Sequence, residues 1–204
     1  MSCKRFCLLF LFVCFIPAGC SFFEAKPDPS RFFVLASLAR TGQRVPDTAG
    51  TNPLFLGIGP IKFPGYFDRQ QLVTRVSQNR FAVAENDRWA EPLEENFSRV
   101  FSQNLSILLQ TDRVLTFPWE RGQQPTYQVQ LEVLRFESNA QQAVELWARW
   151  TIMDRDKKTV AMRESFLTQP AKDNSTEASV AALSEVLGSL SQEIATTIRG
   201  LSGG

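Results

Sequence analysis

The sequence contains no histidine, and its four cysteines, Cys3, Cys7, Cys14 and Cys20, all lie at or before position 20. Without histidine there is no imidazole base and no serine–histidine–aspartate triad, and most transition-metal sites lose their commonest ligand. Formal net charge is only +1, so the concentrated basic face that nucleic acid demands is missing. No apolar run reaches the ~20 residues a helix needs to span a bilayer. Repeats and low-complexity tracts are also absent. The one Gly-x-Gly, Gly57-Ile58-Gly59, lacks the third glycine and following helix of a phosphate-binding fingerprint. Paired acids remain, Glu94 with Glu95 and Asp154 with Asp156. The first pair opens a predicted helix and the second sits in a charged turn, where solvated or dipole-favoured carboxylates are expected without any catalytic duty. These absences point to a non-enzymatic domain that needs no cofactor and no metal.

What is present begins at the N-terminus. Lys4 and Arg5 precede a nearly unbroken apolar stretch, Phe6–Ile16, which ends at Pro17-Ala18-Gly19-Cys20. That is the charged, apolar, small-residue order of a secretory signal. Ala18-Gly19 directly before a cysteine resembles the lipobox of bacterial lipoproteins, with Pro17 in place of the usual leucine. The resemblance implies cleavage after residue 19 and a lipid anchor on Cys20, whose several acyl chains hold durably where one is marginal. Removing the first 19 residues discards the other three cysteines, so an internal disulfide is excluded and the core must suffice alone. The signal takes two of the 22 basic residues and none of the 21 acidic ones, leaving a nearly neutral chain. Residues 20–30, with Lys26-Pro27-Asp28-Pro29, read as an extended tether, and residues 31–204 as a single domain.

Within that domain, Arg31–Leu38 reads as a buried strand, Thr41–Pro53 as a loop, and Leu54–Ile61 as a strand weakened by its glycines. Leu72–Val76 and Arg80–Ala84 read as hairpin arms around Ser77-Gln78-Asn79. Leu93, Phe97, Val100, Phe101, Leu105, Leu108 and Leu109 recur at helical spacing, predicting a helix over Leu93–Leu109 with Pro92 at its start. A short strand, Arg113–Phe117, and a loop to Pro125 follow. Three longer strands come next, Thr126–Phe136, Ala143–Met153 and Thr159–Leu167. In the middle one Val144, Leu146, Ala148, Trp150 and Ile152 alternate with Glu145, Trp147, Arg149 and Thr151, which marks a sheet with one buried face. The chain closes with a helix over about Ser175–Arg199, capped by Asn174 and Glu177. Its stripe, Val180, Leu183, Leu187, Leu190, Ile194, Ile198 and Leu201, either packs on the sheet or serves a partner. The fold class is α/β (α+β): one domain, a mixed and largely antiparallel sheet with two main helices packed on it.

Tyr66, Phe67 and Trp89 fall in predicted loops beside Arg69, Arg75 and Arg88. Aromatic and arginine residues grouped on loops suit a partner-binding hot spot. Alternatively, the rings tuck under the sheet edge and the arginines pair with Asp68, Glu85 or Asp87.

The lipobox, Phe32-Phe33-Val34-Leu35, the stretch from Pro64-Gly65-Tyr66-Phe67-Asp68-Arg69 to Leu72-Val73-Thr74-Arg75, and Trp89-Ala90-Glu91-Pro92-Leu93 together resemble the PqiC/YmbA family of ABC-type transport auxiliary lipoproteins. The resemblance implies a non-catalytic subunit of an intermembrane lipid transport system, anchored in the outer membrane and facing the periplasm. It also implies a periplasm-spanning MCE (mammalian cell entry) protein as partner and homo-oligomeric rings in some members. A stand-alone periplasmic scaffold or envelope-assembly lipoprotein is the competing reading.

Overall fold

Alternation of apolar and polar residues buries one face of a sheet and leaves the other wet, and a helical stripe must find that buried face. The computed structural model describes residues 28–39 and 54–202. Its elements are β1 (Arg31–Phe33), β2 (Leu56–Lys62), a 3-10 turn (Gly65–Asp68), β3 (Gln71–Ser77), β4 (Arg80–Trp89), α1 (Leu93–Leu109), β5 (Val114–Thr116), β6 (Tyr127–Asn139), β7 (Ala143–Asp154), β8 (Thr159–Pro170) and α2 (Thr176–Ser202). Cys20, the signal, most of the tether and the loop Thr41–Pro53 lie outside the described residues.

All eight strands join one mixed sheet built around β6. On one edge β6 carries β7 antiparallel from Tyr127↔Asp154 to Ser138↔Val144, and β7 carries β8 in the same sense. The other edge is shared. β2 runs parallel beside its first half, from Leu56↔Tyr127 to Lys62↔Glu132, while β3 meets only its end, at Thr74↔Ser138 and Arg75↔Asn139. Between these contacts the sheet forks, and the 3-10 turn fills the gap. Beyond the fork, β3 and β4 form the predicted hairpin, and β1 pairs parallel with β4 from Arg31↔Asp87 to Phe33↔Trp89. The long ladders are therefore antiparallel, with parallel pairing at the fork and margins.

Two glycines in β2 permit close approaches. Gly59 has φ +107°, and a Cβ there would sit 2.8 Å from Phe117 Cβ. A Cβ on Gly57 would sit 2.8 Å from Pro125 Cγ. Both let the chain after β5 close over β2, and the ladder with β6 is irregular between Ile58 and Ile61.

Both helices lie on one face. On α1 the predicted stripe is buried at Leu93, Phe97, Val100, Phe101 and Leu105. Phe97 meets Phe136 of β6 edge-on, ring centroids 5.1 Å apart. On α2 Leu187, Leu190, Ile194 and Ile198 are fully buried against α1 and against β6, β7 and β8, so the stripe packs on the sheet. Trp150 Nε1 donates to Ser165 Oγ at 2.9 Å and Ser165 Oγ donates to Glu193 at 2.6 Å, tying β7 and β8 to α2. The helix start differs from expectation: Ser175, not Asn174, caps it by accepting Ala178 N–H, and Glu177 turns outward to Arg31.

The first strand also differs. Only Arg31–Phe33 pairs in the sheet, and residues 34–38 form a strap on the helical layer because side chains there claim their backbone. Leu35 N–H donates to Asn96 Oδ1 (2.7 Å), Ala36 N–H to Ser184 Oγ (3.0 Å) and Leu38 N–H to Asn104 Oδ1 (2.8 Å). Asn96 and Asn104 are wholly buried polar residues on α1. The strap is their partner, and Gly188 makes room for Leu38. Asn96→Ala strands a buried donor, which costs about 1–3 kcal/mol. Chemical denaturation should register that loss and hydrogen exchange should show faster amides at 35–38; native protection there would contradict the strap's dependence on Asn96.

Candidate docking surface

Because both helices cover one face, the other face of the sheet carries no helix among the described residues. On β7, Val144, Leu146, Ala148, Trp150 and Ile152 are at most 1% exposed, and the residues between them point outward. On β8, Met162 is 70% and Phe166 60% exposed. Cross-strand register sets Phe166 beside Trp147 and Met162 beside Thr151. A shallow trough of about 520 Å³ runs beside Met162, walled by Lys62, Gln130, Glu132, Arg149 and Thr151.

Two rails of alternating charge cross this face. Arg149 joins Glu164 at 2.7 Å and Glu132 at 3.7 Å. Arg75, Glu137, Arg135 and Glu145 form the second chain at 2.6, 3.7 and 2.7 Å. The hydrogen bond from Arg149 holds the Glu164 carboxyl below the usual carboxylate range. At Glu145, burial pushes upward, but bonds from Arg135 and Asn139 outweigh it and the net direction is down. Glu164 and Glu145 are thus ionised at neutral pH, and their charge sits among the exposed apolar residues of this face.

Glu137 is the node of the fork. Its side chain is 1% exposed, and it accepts from Tyr66 Oη (2.5 Å), Arg75 Nε (2.6 Å) and Phe136 N–H (2.9 Å). It thereby satisfies a β6 amide that neither β2 nor β3 reaches. Burial first, then this hydrogen bond, pushes the Tyr66 hydroxyl well above the usual phenol range.

The expectation that Tyr66, Phe67 and Trp89 lie on exposed loops needs correction. Phe67 is 2% exposed and packs against Phe63, Tyr66 and Phe136. Trp89 is 6% exposed and ends β4, its N–H donating to Gln70 O at 2.7 Å. The fork explains this: a gap in a sheet must be plugged by apolar volume, and the 3-10 turn drops Phe67 into it. Tyr66 is half-buried, bound to Glu137 and stacked near Phe81 (4.9 Å). Arg75 pairs with Glu137, not with the acids considered from sequence, and its guanidinium lies over Phe81 at 4.3 Å. Arg69 is exposed, and Arg88 lies beside Phe32 and Gln71 in the ladder. Tyr66 and Arg75 therefore belong with the charged rail, while Phe67 and Trp89 belong to the core. Trp147, Met162 and Phe166 were missed, although Trp147 on the polar side of the β7 alternation was the legible signal. Glu137 had none, since its partners come from distant segments.

The remaining acid pair from sequence is structural: Asp154 Oδ1 accepts the N–H groups of Asp156 and Lys158 in the β7–β8 turn. Among the described residues no cluster of three potential metal ligands occurs, and no helix is long and apolar enough to cross a membrane.

Among solved structures, a crystal structure of an uncharacterised protein superposes with a TM-score of 0.67 at 18% identity, covering 83% of this chain and 98% of its own. A Xanthomonas campestris protein gives 0.66 at 17% identity, covering 85% and 98%. Both share the fold. A subunit of the PelC dodecamer of Paraburkholderia phytofirmans matches at 0.41 and 11% identity, covering 79% and 92%. No curated protein matches the chain. The profile of the ABC-type transport auxiliary lipoprotein component matches residues 35–195, most of the chain and nearly all of the folded domain, and the chain belongs to that family.

Proposed function

We propose that this protein is a non-catalytic, lipid-anchored subunit of an MCE-type intermembrane lipid transport system. Cleavage before Cys20 and acylation of its thiol hold it in the outer membrane, residues 20–30 tether it, and the domain from residue 31 onward faces the periplasm. There it docks the periplasm-spanning MCE-domain protein, with copies of the subunit arranged as a ring. The observation that carries this reading is the outward sheet face, where Met162 and Phe166 stand exposed on either side of the Arg149–Glu164 ion pair. Exposed apolar side chains set among paired polar and charged neighbours are the mixed composition of protein interfaces. Tyr66, Arg75 and the exposed Arg69 remain in the proposed surface; Phe67 and Trp89 support it from beneath. Ser21 after the anchor is not the aspartate that commonly retains lipoproteins in the inner membrane of enteric bacteria, which favours the outer membrane.

Affinity capture of the full-length protein from crosslinked envelopes, read by mass spectrometry, tests the proposal. An MCE-domain protein should co-purify from the wild type and be lost from a Met162→Asp/Phe166→Asp variant of unchanged melting temperature. Capture of envelope-assembly factors without any MCE-domain protein would favour the stand-alone scaffold.

A further inference from the structure

At the sheet edge opposite β8 stands a second exposed apolar group. Phe32 is 62% and Val34 50% exposed, while Phe33 packs against the core and Leu35 is buried between them and the helices. Parallel register sets Phe32 beside Arg88, and register partners point to the same side of a sheet. Arg88 has no ion pair among the described residues, and its Nε is buried without a hydrogen-bond partner there. Its neighbour Arg31, by contrast, is committed to Asp87 at 2.7 Å. Two exposed apolar side chains beside a guanidinium that forms no ion pair among the described residues, though its charge reaches the Asp28 carboxyl, match the boundary of a phospholipid bilayer, where rings enter the acyl margin and arginine meets phosphate.

Position along the chain strengthens this assignment. Phe32 follows Cys20 by twelve residues, which reach at most about 40 Å fully extended. Two apolar residues alone bind a bilayer too weakly to matter. A short tether makes the contact intramolecular, at an effective concentration on the order of millimolar, and a weak patch is then populated. We infer that Phe32, Val34 and Arg88 seat the β1 edge of the domain on the phospholipid surface that holds the anchor, an inference that rests on lipidation at Cys20. Five strand steps, β1 to β4, β3, β6, β7 and β8, separate that edge from Phe166, roughly 24 Å at the usual strand spacing. Seating β1 on the membrane therefore leaves β7 and β8 at the far end of the sheet from it.

The test uses the full-length lipidated protein in vesicles of phosphatidylethanolamine and phosphatidylglycerol. Acylation occupies Cys20, so Phe32→Cys, Val34→Cys and Met162→Cys each carry one free thiol for a polarity-sensitive dye. With doxyl-labelled lipids, emission from positions 32 and 34 should be blue-shifted and quenched several times more strongly than from 162. Arg88→Glu should weaken that quenching. Equal, weak quenching at 32, 34 and 162 in a protein that still floats with the vesicles overturns the seating while lipidation stands. A protein with a second free thiol that does not float overturns both.

Discussion

Replacing Glu137 with alanine should lower the unfolding free energy by about 3 kcal/mol, near the bottom of the range for breaking a buried ion pair. The carboxylate is 1% exposed, but Arg75 and Arg135 are 19% and 30% exposed, so water takes up part of their orphaned charge. The loss also uncaps the Phe136 amide and the Tyr66 hydroxyl. For a domain of this size the melting temperature should fall by roughly 6–12 °C. Glu137→Gln keeps the shape and an acceptor and should lose distinctly less. Equal stability of the alanine variant and wild type would show that the fork is closed by something other than this node.

Phe67→Ala should cost about 3–5 kcal/mol, the usual loss for a large aromatic removed from a core. Its ring fills the gap between β2 and β3 and touches three other aromatics, so no neighbour can collapse into the space without breaking the plug. Met162→Ala and Phe166→Ala, on the bare face, should stay within about 0.5 kcal/mol of wild type. The contrast separates the two groups of apolar residues: one supports the fold, the other is free to bind. Denaturant titration of the three variants decides it, and a destabilisation at Phe166 comparable with that at Phe67 would mean the outer face is part of the fold's own packing.

The parts legible in the sequence are those set by local periodicity. Alternation in β7 gave both its buried and its outward residues, and the stripe from Leu93 to Leu109 gave α1 to the residue. What depends on contacts between distant segments was not legible. Arg31–Leu38 is apolar enough for a strand, yet Asn96, Asn104 and Ser184, more than sixty residues away, divert its second half onto the helices. A 3-10 turn, Gly65–Asp68, follows Pro64. Nothing local reveals that the sheet forks beside it and draws Phe67 inward. Trp89 lies beyond the predicted hairpin arm that ends at Ala84, but pairing with β1 extends β4 through it. On the candidate surface, Tyr66 and Arg75 stand out by composition, while Glu137, which accepts hydrogen bonds from both, has no local signal.

Docking of the proposed transport partner on the outward β7–β8 face sets which side chains lie within reach of it. A photo-crosslinking amino acid placed at Phe166, and separately at exposed Gln192 on the helical layer, tests this in intact cells. Light should yield an adduct with the MCE-domain protein from position 166 and none from 192. Adducts from 192 alone, or none from 166 while the two proteins still co-purify, would contradict it.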